Sequence, residues 1–403
     1  MSRNLVICCD GTNREFGSHN TNVIRLIQCL DRGKPERQAL FYDPGLGTLP
    51  EPGMATWIGK GLSRAFGLAF GAGLGGNVGE AYTFLKDFWQ PGDRVFLFGF
   101  SRGAYTARVL AGMLHVLGLL PRGSDNLIPY VWRLFKSIRK EGAQKYWNLC
   151  DEFRWTFARP MAEGDAKRHF QVHFMGLWDT VSSIGWIWEP VSFPFTATNP
   201  SVGVIRHAVS IDERRSFFRQ NLFHPAEGQD LREVWFAGVH GDVGGGYPEK
   251  DGGLWRYPFE WILDEAEAAG LLVDPQRRQE VAHRTEPFAR AWVDPKHESL
   301  TPAWWPAEFV PKLRSKPGSS LLRPTLGLGR RRLLKEGSLI HGSALMRLRK
   351  GIDAPPNLSG SFVARVRALS SVPEVLPYDS QELPASPWPT RREELPAADR
   401  NAR

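Results

Sequence analysis

The amino-acid sequence predicts an α/β fold, with a mostly parallel central sheet and helices on both of its faces. Short apolar runs typical of buried strands alternate along the chain with longer segments whose apolar residues recur at helical spacing. This alternation is typical of parallel strands joined by crossover helices, which cover both faces of the sheet. With 403 residues, 42% of them hydrophobic, the chain is long enough to bury such a core.

Six segments have the composition of buried strands, being short and rich in Val, Ile, Phe and other apolar residues. In chain order they are NLVICC at 4–9, ALFY at 39–42, RVFLFGF at 94–100, QVHFMGL at 171–177, IRHAVSI at 205–211 and EVWFAGV at 233–239. Helical spacing predicts helices near 21–31, 78–89, 103–118, 127–146, 213–218 and 259–270. Because parallel sheets hold their sites at the carboxyl ends of the strands, the residues directly after these strands are the candidates for a functional site.

The chain changes character after residue 271. Residues 272–325 are irregular and rich in Pro, Trp and Arg, and six prolines lie between Pro373 and Pro396. We therefore expect an α/β domain at 1–271, an irregular basic C-terminal extension at 272–358 packed on or beside it, and a flexible Pro-rich tail at 359–403.

The stretch Gly99-Phe100-Ser101-Arg102-Gly103 joins the third strand to the helix that follows it. It has the G-x-S-x-G pattern of a nucleophile elbow, in which glycines two residues either side of the serine remove side chains that would clash. The N-terminus of the helix offers free N–H groups that favour developing negative charge. The pattern predicts Ser101 as a catalytic nucleophile, and the alternative is a serine that only caps the helix.

A catalytic serine needs a base, which is most often a histidine. His240 follows the sixth strand and opens a glycine-rich loop at the expected edge of the sheet, so its ring can reach Ser101. His115 is expected inside a helix, and His173 and His207 are expected within strands. His240 is therefore the predicted general base.

Three aspartates are candidates for the acid that orients this histidine. Asp179 directly follows the fourth strand, where the acid is expected after the elbow helix. Asp212 follows the fifth strand, and pairing with the arginines beside it gives it a structural explanation. Asp242 lies two residues past His240 and can orient a histidine or organise the loop. Asp179 is favoured, with Asp212 and Asp242 as alternatives.

An oxyanion hole needs two N–H donors. The first is expected from Arg102, the residue after the nucleophile, and the second from Gly11 or Thr12, in the loop after the first strand. Asp10 is expected to hold that loop or to pair with Arg102.

A metal site is the alternative for the aspartates, since Asp10, Asp212 and Asp242 can converge at one edge of the sheet. No spacing among them is diagnostic of a ligand set. We therefore expect neither a metal nor another cofactor.

The composition also bears on location. Four cysteines without C-x-x-C spacing indicate reduced thiols. The first residues lead directly into a strand rather than a signal peptide, and no apolar run has the length of a transmembrane helix. We therefore expect a cytoplasmic protein, or one exported by a route that needs no signal peptide.

The net charge of +8 arises from one segment. Residues 311–350 contain eleven Lys or Arg and one acid, Glu336, so the rest of the chain sums to −2. This basic segment includes Arg330-Arg331-Arg332. It is either a solvated surface or a surface that contacts an anionic membrane or a nucleic acid.

Several blocks of the sequence together resemble one known family. They are CCDGTN near the start, TNV at 21–23, GGNVGEAYTFL at 75–85, LFGFSRGAYTAR, GLWDTVSSIG, HAVSIDERR, WFAGVHGDVGGGYPE and, more faintly, SLIHGSALMRL at 338–348. The resemblance covers residues 4–260 and is to the α/β-hydrolase-like domains that include the catalytic domain of type VI secretion lipase effectors, which are bacterial phospholipases. The family's serine, aspartate and histidine match Ser101, Asp179 and His240.

The resemblance implies an α/β-hydrolase-like fold and a serine hydrolase whose substrate is a phospholipid ester, cut at the A1 or A2 position. Effectors of that class usually carry further domains, for which this chain has only the part after about residue 272. One alternative is a cytoplasmic esterase with a small soluble substrate. Another, from a different class, is a binding protein that uses 311–350 on nucleic acid. The intact Ser, Asp and His argue against it, so we expect no nucleic acid partner.

Overall fold

The structure is a computed structural model. It describes residues 2–11, 17, 19–45, 68–138, 143–162, 164–165, 167–181, 185–186, 189–190, 193–282, 288–315 and 322–378.

An eight-stranded sheet forms the centre of the fold. Its strands are β1 (Asn4–Cys9), β2 (Gln38–Asp43), β3 (Arg94–Phe100), β4 (Val172–Trp178), β5 (Val202–Ser210), β6 (Asp230–Phe236), β7 (Leu339–His341) and β8 (Val375–Pro377). Their spatial order is β8-β7-β6-β5-β4-β3-β1-β2. All neighbouring pairs are parallel except β7 and β8. The predicted α/β-hydrolase-like class, with a mostly parallel sheet, is confirmed.

Helices lie on both faces of this sheet. They are α1 (Asn22–Cys29), α2 (Leu68–Phe88), α3 (Arg102–Leu117), α4 (Ile128–Ser137), α5 (Ala143–Phe157), α6 (His240–Gly244), α7 (Arg256–Ala268), α8 (Pro275–Ala282), α9 (Trp305–Glu308), α10 (Gly342–Arg349) and α11 (Gly360–Ala368). Short 3-10 helices lie at Asp125–Leu127, Glu249–Asp251, Phe288–Val293 and Pro302–Trp304, and small two-stranded pairs join Gly185–Trp186 to Glu189–Pro190 and Lys312–Ser315 to Leu322–Thr325.

The pleat of the strands divides the core into two layers. Along β1, Leu5 and Ile7 join the apolar cluster that contains α3, whereas Val6 and Cys8 join the cluster that contains α1 and α7. Successive side chains of a strand point to opposite faces, so an unbroken apolar run such as NLVICC fits a strand that is buried on both sides. All six residues of β1 are buried.

The C-terminal extension is part of the sheet rather than an addition beside it. β7 pairs with β6, and β8 pairs with β7. A third apolar cluster packs α10 and α11 against Val209 and Trp235 of the neighbouring strands. The boundary expected at residue 271 therefore does not separate the sheet from the extension. The expected tail from 359 is ordered to residue 378, and residues 379–403 lie outside the described residues.

The strand bounds inferred from sequence differ little from those observed, but one predicted helix is absent. Residues 213–218 form a loop, because the Glu213 carboxylate accepts the backbone N–H groups of Arg214 and Arg215 at 3.0 and 2.8 Å. This side-chain bonding takes the place of helical hydrogen bonds. In the described part of the chain, no helix has the length and apolar character needed to cross a membrane.

Candidate active site

The turn between β3 and α3 places Ser101 in a strained conformation, with φ 59° and ψ −122°. The glycines on either side permit it. A Cβ on Gly99 would lie 2.6 Å from the Cα of Ala104, and a Cβ on Gly103 would lie 2.2 Å from the carbonyl oxygen of Cys9. Any larger residue at either position would push the turn apart. Backbone strain of this kind is concentrated at functional sites.

Ser101 lies at one end of a chain of hydrogen bonds through three side chains. The His240 Nε2 is 2.8 Å from the Ser101 Oγ, and the His240 Nδ1 is 2.5 Å from the Asp179 Oδ2. Each residue follows the carboxyl end of a different strand, namely β3, β4 and β6. The parallel arrangement brings these ends to one edge of the sheet. All three side chains are buried.

Aromatic rings fix the plane of the His240 imidazole. Phe100 stacks on it with ring centroids 4.7 Å apart, and Phe218 meets it edge-on at 4.8 Å. The backbone N–H of His240 donates to the Glu213 Oε2 at 3.2 Å. A histidine held in this way turns little between its contacts with Ser101 and Asp179, which favours proton transfer along one line.

Asp179 is enclosed by donors. Its Oδ1 accepts the backbone N–H of Ser210 at 2.8 Å, and the Arg332 guanidinium contacts both carboxylate oxygens. Burial on its own would raise the pKa of the Asp179 carboxyl. Arg332 and the hydrogen bond from His240 outweigh that effect and hold the pKa well below its ordinary range. Asp179 is therefore ionised at any pH at which the protein would act.

Burial also affects His240, in the direction that suits a general base. It lowers the pKa of the imidazole below the ordinary value of 6.5, although Asp179 opposes the shift. A neutral imidazole with its Nδ1–H donated to Asp179 leaves the Nε2 lone pair facing the Ser101 hydroxyl.

With His240 as general base, we expect ester hydrolysis to run at more than half its maximal rate at pH 6.5 and to fall at lower pH. A protonated imidazole cannot accept the serine proton, so activity is lost as the pH falls through the lowered pKa of His240. The measurement is kcat/KM for a soluble short-chain ester as a function of pH. A midpoint of the acid limb above 6.5 would show that His240 is not the base or that its charge is stabilised.

The expected oxyanion hole is described in part. Arg102 begins α3 directly after Ser101, so its backbone N–H lies at the helix N-terminus, where developing negative charge is favoured. The backbone of Gly11 adjoins Ser101, since a Cβ on Gly11 would lie 3.4 Å from the Ser101 Cβ. The Gly11 N–H donates to the Asp10 Oδ1 at 2.7 Å, which turns it toward its own loop. Thr12 lies outside the described residues.

Asp10 makes several hydrogen bonds around the loop after β1. Besides the Gly11 N–H, its carboxylate accepts the Thr21 hydroxyl at 2.8 Å and the Tyr42 hydroxyl at 3.2 Å. These bonds tie the loop after β1 to α1 and β2.

Asp212 and Asp242 have partners other than His240. Asp212 binds the Lys296 ammonium at 2.7 Å rather than the neighbouring arginines, and Asp242 binds the His297 Nδ1 at 2.6 Å. In the described ranges, no group of three or more His, Cys, Asp or Glu residues is placed to hold a metal ion.

Three residues around the site were not predicted from the sequence, namely Arg332, Glu213 and Phe218. Arg332 was grouped with Arg330 and Arg331 in the basic surface, but it is buried whereas its two neighbours are exposed. A run of three arginines carries no signal that distinguishes its members. Glu213 and Phe218 lie in the loop that follows β5, and that strand also ends at the edge that carries the site, which is the one signal that could have pointed to them.

More than half of this chain matches the model of one known family. The model for the T6SS phospholipase effector Tle1-like catalytic domain matches residues 3–265. This range agrees with the resemblance seen in the sequence over 4–260, and it contains Ser101, Asp179 and His240. An uncharacterized protein of Saccharomyces cerevisiae is 34% identical over 232 residues, which are 55% of this chain and 33% of that protein.

Two solved structures are similar at lower identity. An uncharacterized protein from Pseudomonas aeruginosa is 18% identical, with a TM-score of 0.42, covering 73% of this chain and 50% of that one. The Tle1 effector bound to the VgrG spike of the type 6 secretion system is 21% identical, with a TM-score of 0.32, covering 61% and 51%. The chain thus spans 33% of the yeast relative's length and about half of each solved chain.

Proposed function

The chain belongs to the family of Tle1-like phospholipase effector catalytic domains of type VI secretion, and from that membership we propose that it hydrolyses a carboxylic ester bond of phospholipids by a serine mechanism. The observation that supports this most is the hydrogen-bonded series from Ser101 through His240 to Asp179, inside the region that the family model covers. Ser101, Asp179 and His240 also follow the chain order typical of α/β-hydrolases, which is nucleophile, acid and then histidine.

Acylation is the first half of the proposed reaction. The Ser101 Oγ attacks the ester carbonyl carbon while the His240 Nε2 accepts the serine proton, and Asp179 stabilises the imidazolium that forms. The backbone N–H of Arg102 is the proposed donor to the carbonyl oxygen as it becomes negative. The intermediate then collapses, and the ester oxygen of the lysophospholipid leaves with the proton from His240. The fatty acyl group remains on Ser101.

Deacylation repeats these steps with water. A water oxygen attacks the acyl carbon while His240 accepts a proton from that water. His240 then gives the proton to the Ser101 Oγ as the bond between the acyl carbon and this oxygen breaks. The products are a free fatty acid and a lysophospholipid, which is the outcome of A1 or A2 cleavage. Every step uses side chains of this chain and water.

A lipid substrate requires a surface that meets the bilayer, and we propose that one lies beside His240. Exposed apolar side chains occur on two adjoining segments, at Trp305 and Phe309 and at Leu328 and Leu333. A Cβ built on Gly329 would lie 3.7 Å from the Trp305 ring, so the two segments lie close together. We call these four residues, with the exposed Arg330 and Arg331, the interfacial surface. Apolar side chains beside cations are the composition that an anionic bilayer binds.

Aromatic contacts connect this surface to the catalytic side chains. Trp304, which precedes Trp305, meets the ring of Phe218 at 5.6 Å, and Phe218 meets the ring of His240 at 4.8 Å. The interfacial surface is therefore connected to His240 through two aromatic rings, those of Trp304 and Phe218.

We expect the double substitution Arg330→Gln with Arg331→Gln to weaken binding to anionic phospholipid vesicles by roughly 30-fold, since each cation near such a surface contributes about 1 kcal/mol. Hydrolysis of the vesicles should fall in parallel, and both effects should shrink as salt screens the attraction. Arg332 is left unchanged because it is buried on Asp179. The measurements are vesicle cosedimentation and fatty acid release.

Two exposed arginines far from the site give the charge-matched control. Arg232→Gln with Arg277→Gln removes the same charge from β6 and α8, and this variant should bind vesicles as the wild type does. Equal weakening in both double variants would mean that only net charge matters and that the interfacial surface is not the point of contact.

Comparing phospholipid vesicles with a short nitrophenyl ester tests the proposed function itself. A phospholipase should turn over the lipid at the vesicle surface faster than the soluble ester at equal acyl concentration. Hydrolysis of the short ester alone would identify a soluble esterase instead. Hydrolysis of neither, with salt-dependent DNA binding that survives Ser101→Ala, would identify a nucleic-acid-binding protein.

A further inference from the structure

We propose that Arg332, which comes from the extension beyond the family-matched region, is a positioning residue that holds the Asp179 carboxylate for His240. This inference rests on the proposed function, because it assigns Asp179 the role of catalytic acid. The family match ends at residue 265, well before Arg332 in the chain, yet the Arg332 guanidinium contacts the Asp179 carboxylate.

The contacts of the guanidinium carry the inference. Its Nη1 and Nη2 bind the two oxygens of Asp179, with Nη2 to Oδ2 at 3.0 Å. Nη1 also donates to the Ser210 Oγ at 2.7 Å, and Nη2 to the carbonyl oxygen of Phe218 at 2.6 Å. Two-point binding fixes the plane of a carboxylate as well as its position. The Asp179 Oδ2 that faces the His240 Nδ1 is therefore held in one orientation.

The same guanidinium links both groups that flank the imidazole. Phe218, whose carbonyl oxygen it binds, packs its ring edge-on against His240. Arg332 thus restrains two groups that contact His240, the Asp179 carboxylate and the residue that carries the Phe218 ring. A shift of about 1 Å in a catalytic group can cost about 100-fold in rate.

The backbone that carries Arg332 is itself fixed to the sheet. The Asn357 side-chain amide donates to the carbonyl oxygens of Arg332 and Ile211, both at 3.1 Å. Leu334, two residues on, is buried in the apolar cluster of the extension. The guanidinium is therefore delivered from a rigid support, as a positioning role requires.

The charge of Arg332 also affects the pKa of His240. This effect distinguishes a positioning role in catalysis from a purely structural ion pair. Among the described residues, the charged or titratable groups that face the acid and base are Arg332 and His207 beside Asp179, and Arg215 and Glu213 beside His240. Removing the Arg332 cation leaves the Asp179 charge less neutralised, so protonation of His240 becomes easier. The acid limb of the pH profile must then move to higher pH.

The test compares Arg332→Gln and Arg332→Lys with the wild type, and Lys335→Gln, an exposed cation nearby, is the control. For Arg332→Gln we expect kcat on a soluble ester to fall about 100-fold at little change in KM, and the acid limb to move up by about one pH unit. Arg332→Lys keeps the charge without two-point binding. It should lose kcat with a smaller movement of the acid limb.

Thermal unfolding of each variant shows whether it folds, and NMR of labelled histidine supplies a readout that needs no turnover. His240, assigned from a His240→Gln sample, should titrate at higher pH in Arg332→Gln than in the wild type. A folded Arg332→Gln with wild-type kcat and an unmoved His240 titration would overturn the positioning role. If Arg332→Gln does not fold, wild-type kcat in Arg332→Lys would overturn it.

The two proposals fail in different ways. A wild-type protein that hydrolyses no ester contradicts the proposed function, while the histidine titration still decides whether Arg332 acts on the Asp179–His240 pair. An active wild type with an unaffected, folded Arg332→Gln contradicts the positioning role alone.

Discussion

Ser101→Ala is expected to lower ester hydrolysis by a factor on the order of 10⁴ or more, without unfolding the protein. The hydroxyl oxygen is the only heavy atom removed, and with it the attacking group is lost, so His240 has no serine proton to accept. The Ser101 φ of 59° is as accessible to alanine as to serine, so the elbow keeps its shape. The measurement is kcat on a soluble short-chain ester together with the thermal unfolding midpoint.

His240→Ala should be about as inactive as Ser101→Ala, because nucleophile and base act as one unit and their losses do not add. The matched control is Ser137→Ala, which removes a hydroxyl on α4 that bonds only locally, to the Arg133 carbonyl oxygen in the same helix. The control should keep wild-type activity. Substantial hydrolysis by folded Ser101→Ala would show that another group is the nucleophile.

Asp179→Asn is expected to lower kcat by about 10⁴-fold, the effect of presenting the wrong hydrogen-bonding group to a catalytic histidine. The carboxylate accepts from His240, Ser210 and Arg332, and all three are donors. An asparagine has one acceptor oxygen and one NH₂ group, so its NH₂ must face a donor at one side or the other. Either the histidine is forced into the wrong tautomer, or the contact with Arg332 and Ser210 is broken.

Asn substitutions at the two aspartates that were the sequence alternatives are the controls. Asp212 bonds to Lys296 and Asp242 to His297, so Asp212→Asn and Asp242→Asn should retain most of the activity. The acid would be misassigned if Asp179→Asn stayed active while one of these variants did not.

Much of the site could be predicted from the sequence because its geometry is local. A residue that directly follows a buried strand must lie at the edge of the sheet, and Ser101 and Asp179 both do so. His240 follows β6 after three residues and begins a short helix. Strands such as β1 and β3 are evident from the sequence because both of their faces are buried, which leaves unbroken apolar runs.

The rest depended on contacts between distant parts of the chain. β7 and β8 are each three residues long, too short for any periodic pattern. β7 is a strand because β6 leaves an edge to pair with, and β8 is a strand because it pairs with β7. Arg332 becomes an active-site neighbour only when that extension packs against β5. A count of charges treats the three consecutive arginines alike, and a surface position is correct only for Arg330 and Arg331, which are exposed.

Labelling with a fluorophosphonate, followed by peptide mapping, tests most directly whether Ser101 is the nucleophile of a lipid ester hydrolase. Trypsin releases residues 95–102, VFLFGFSR, in which Ser101 is the one serine. If Ser101 is the nucleophile, a single adduct forms on this peptide. The adduct is absent from Ser101→Ala and is suppressed by excess phospholipid vesicles that compete for the site. An adduct on a different peptide, or none in folded wild-type protein, would contradict it.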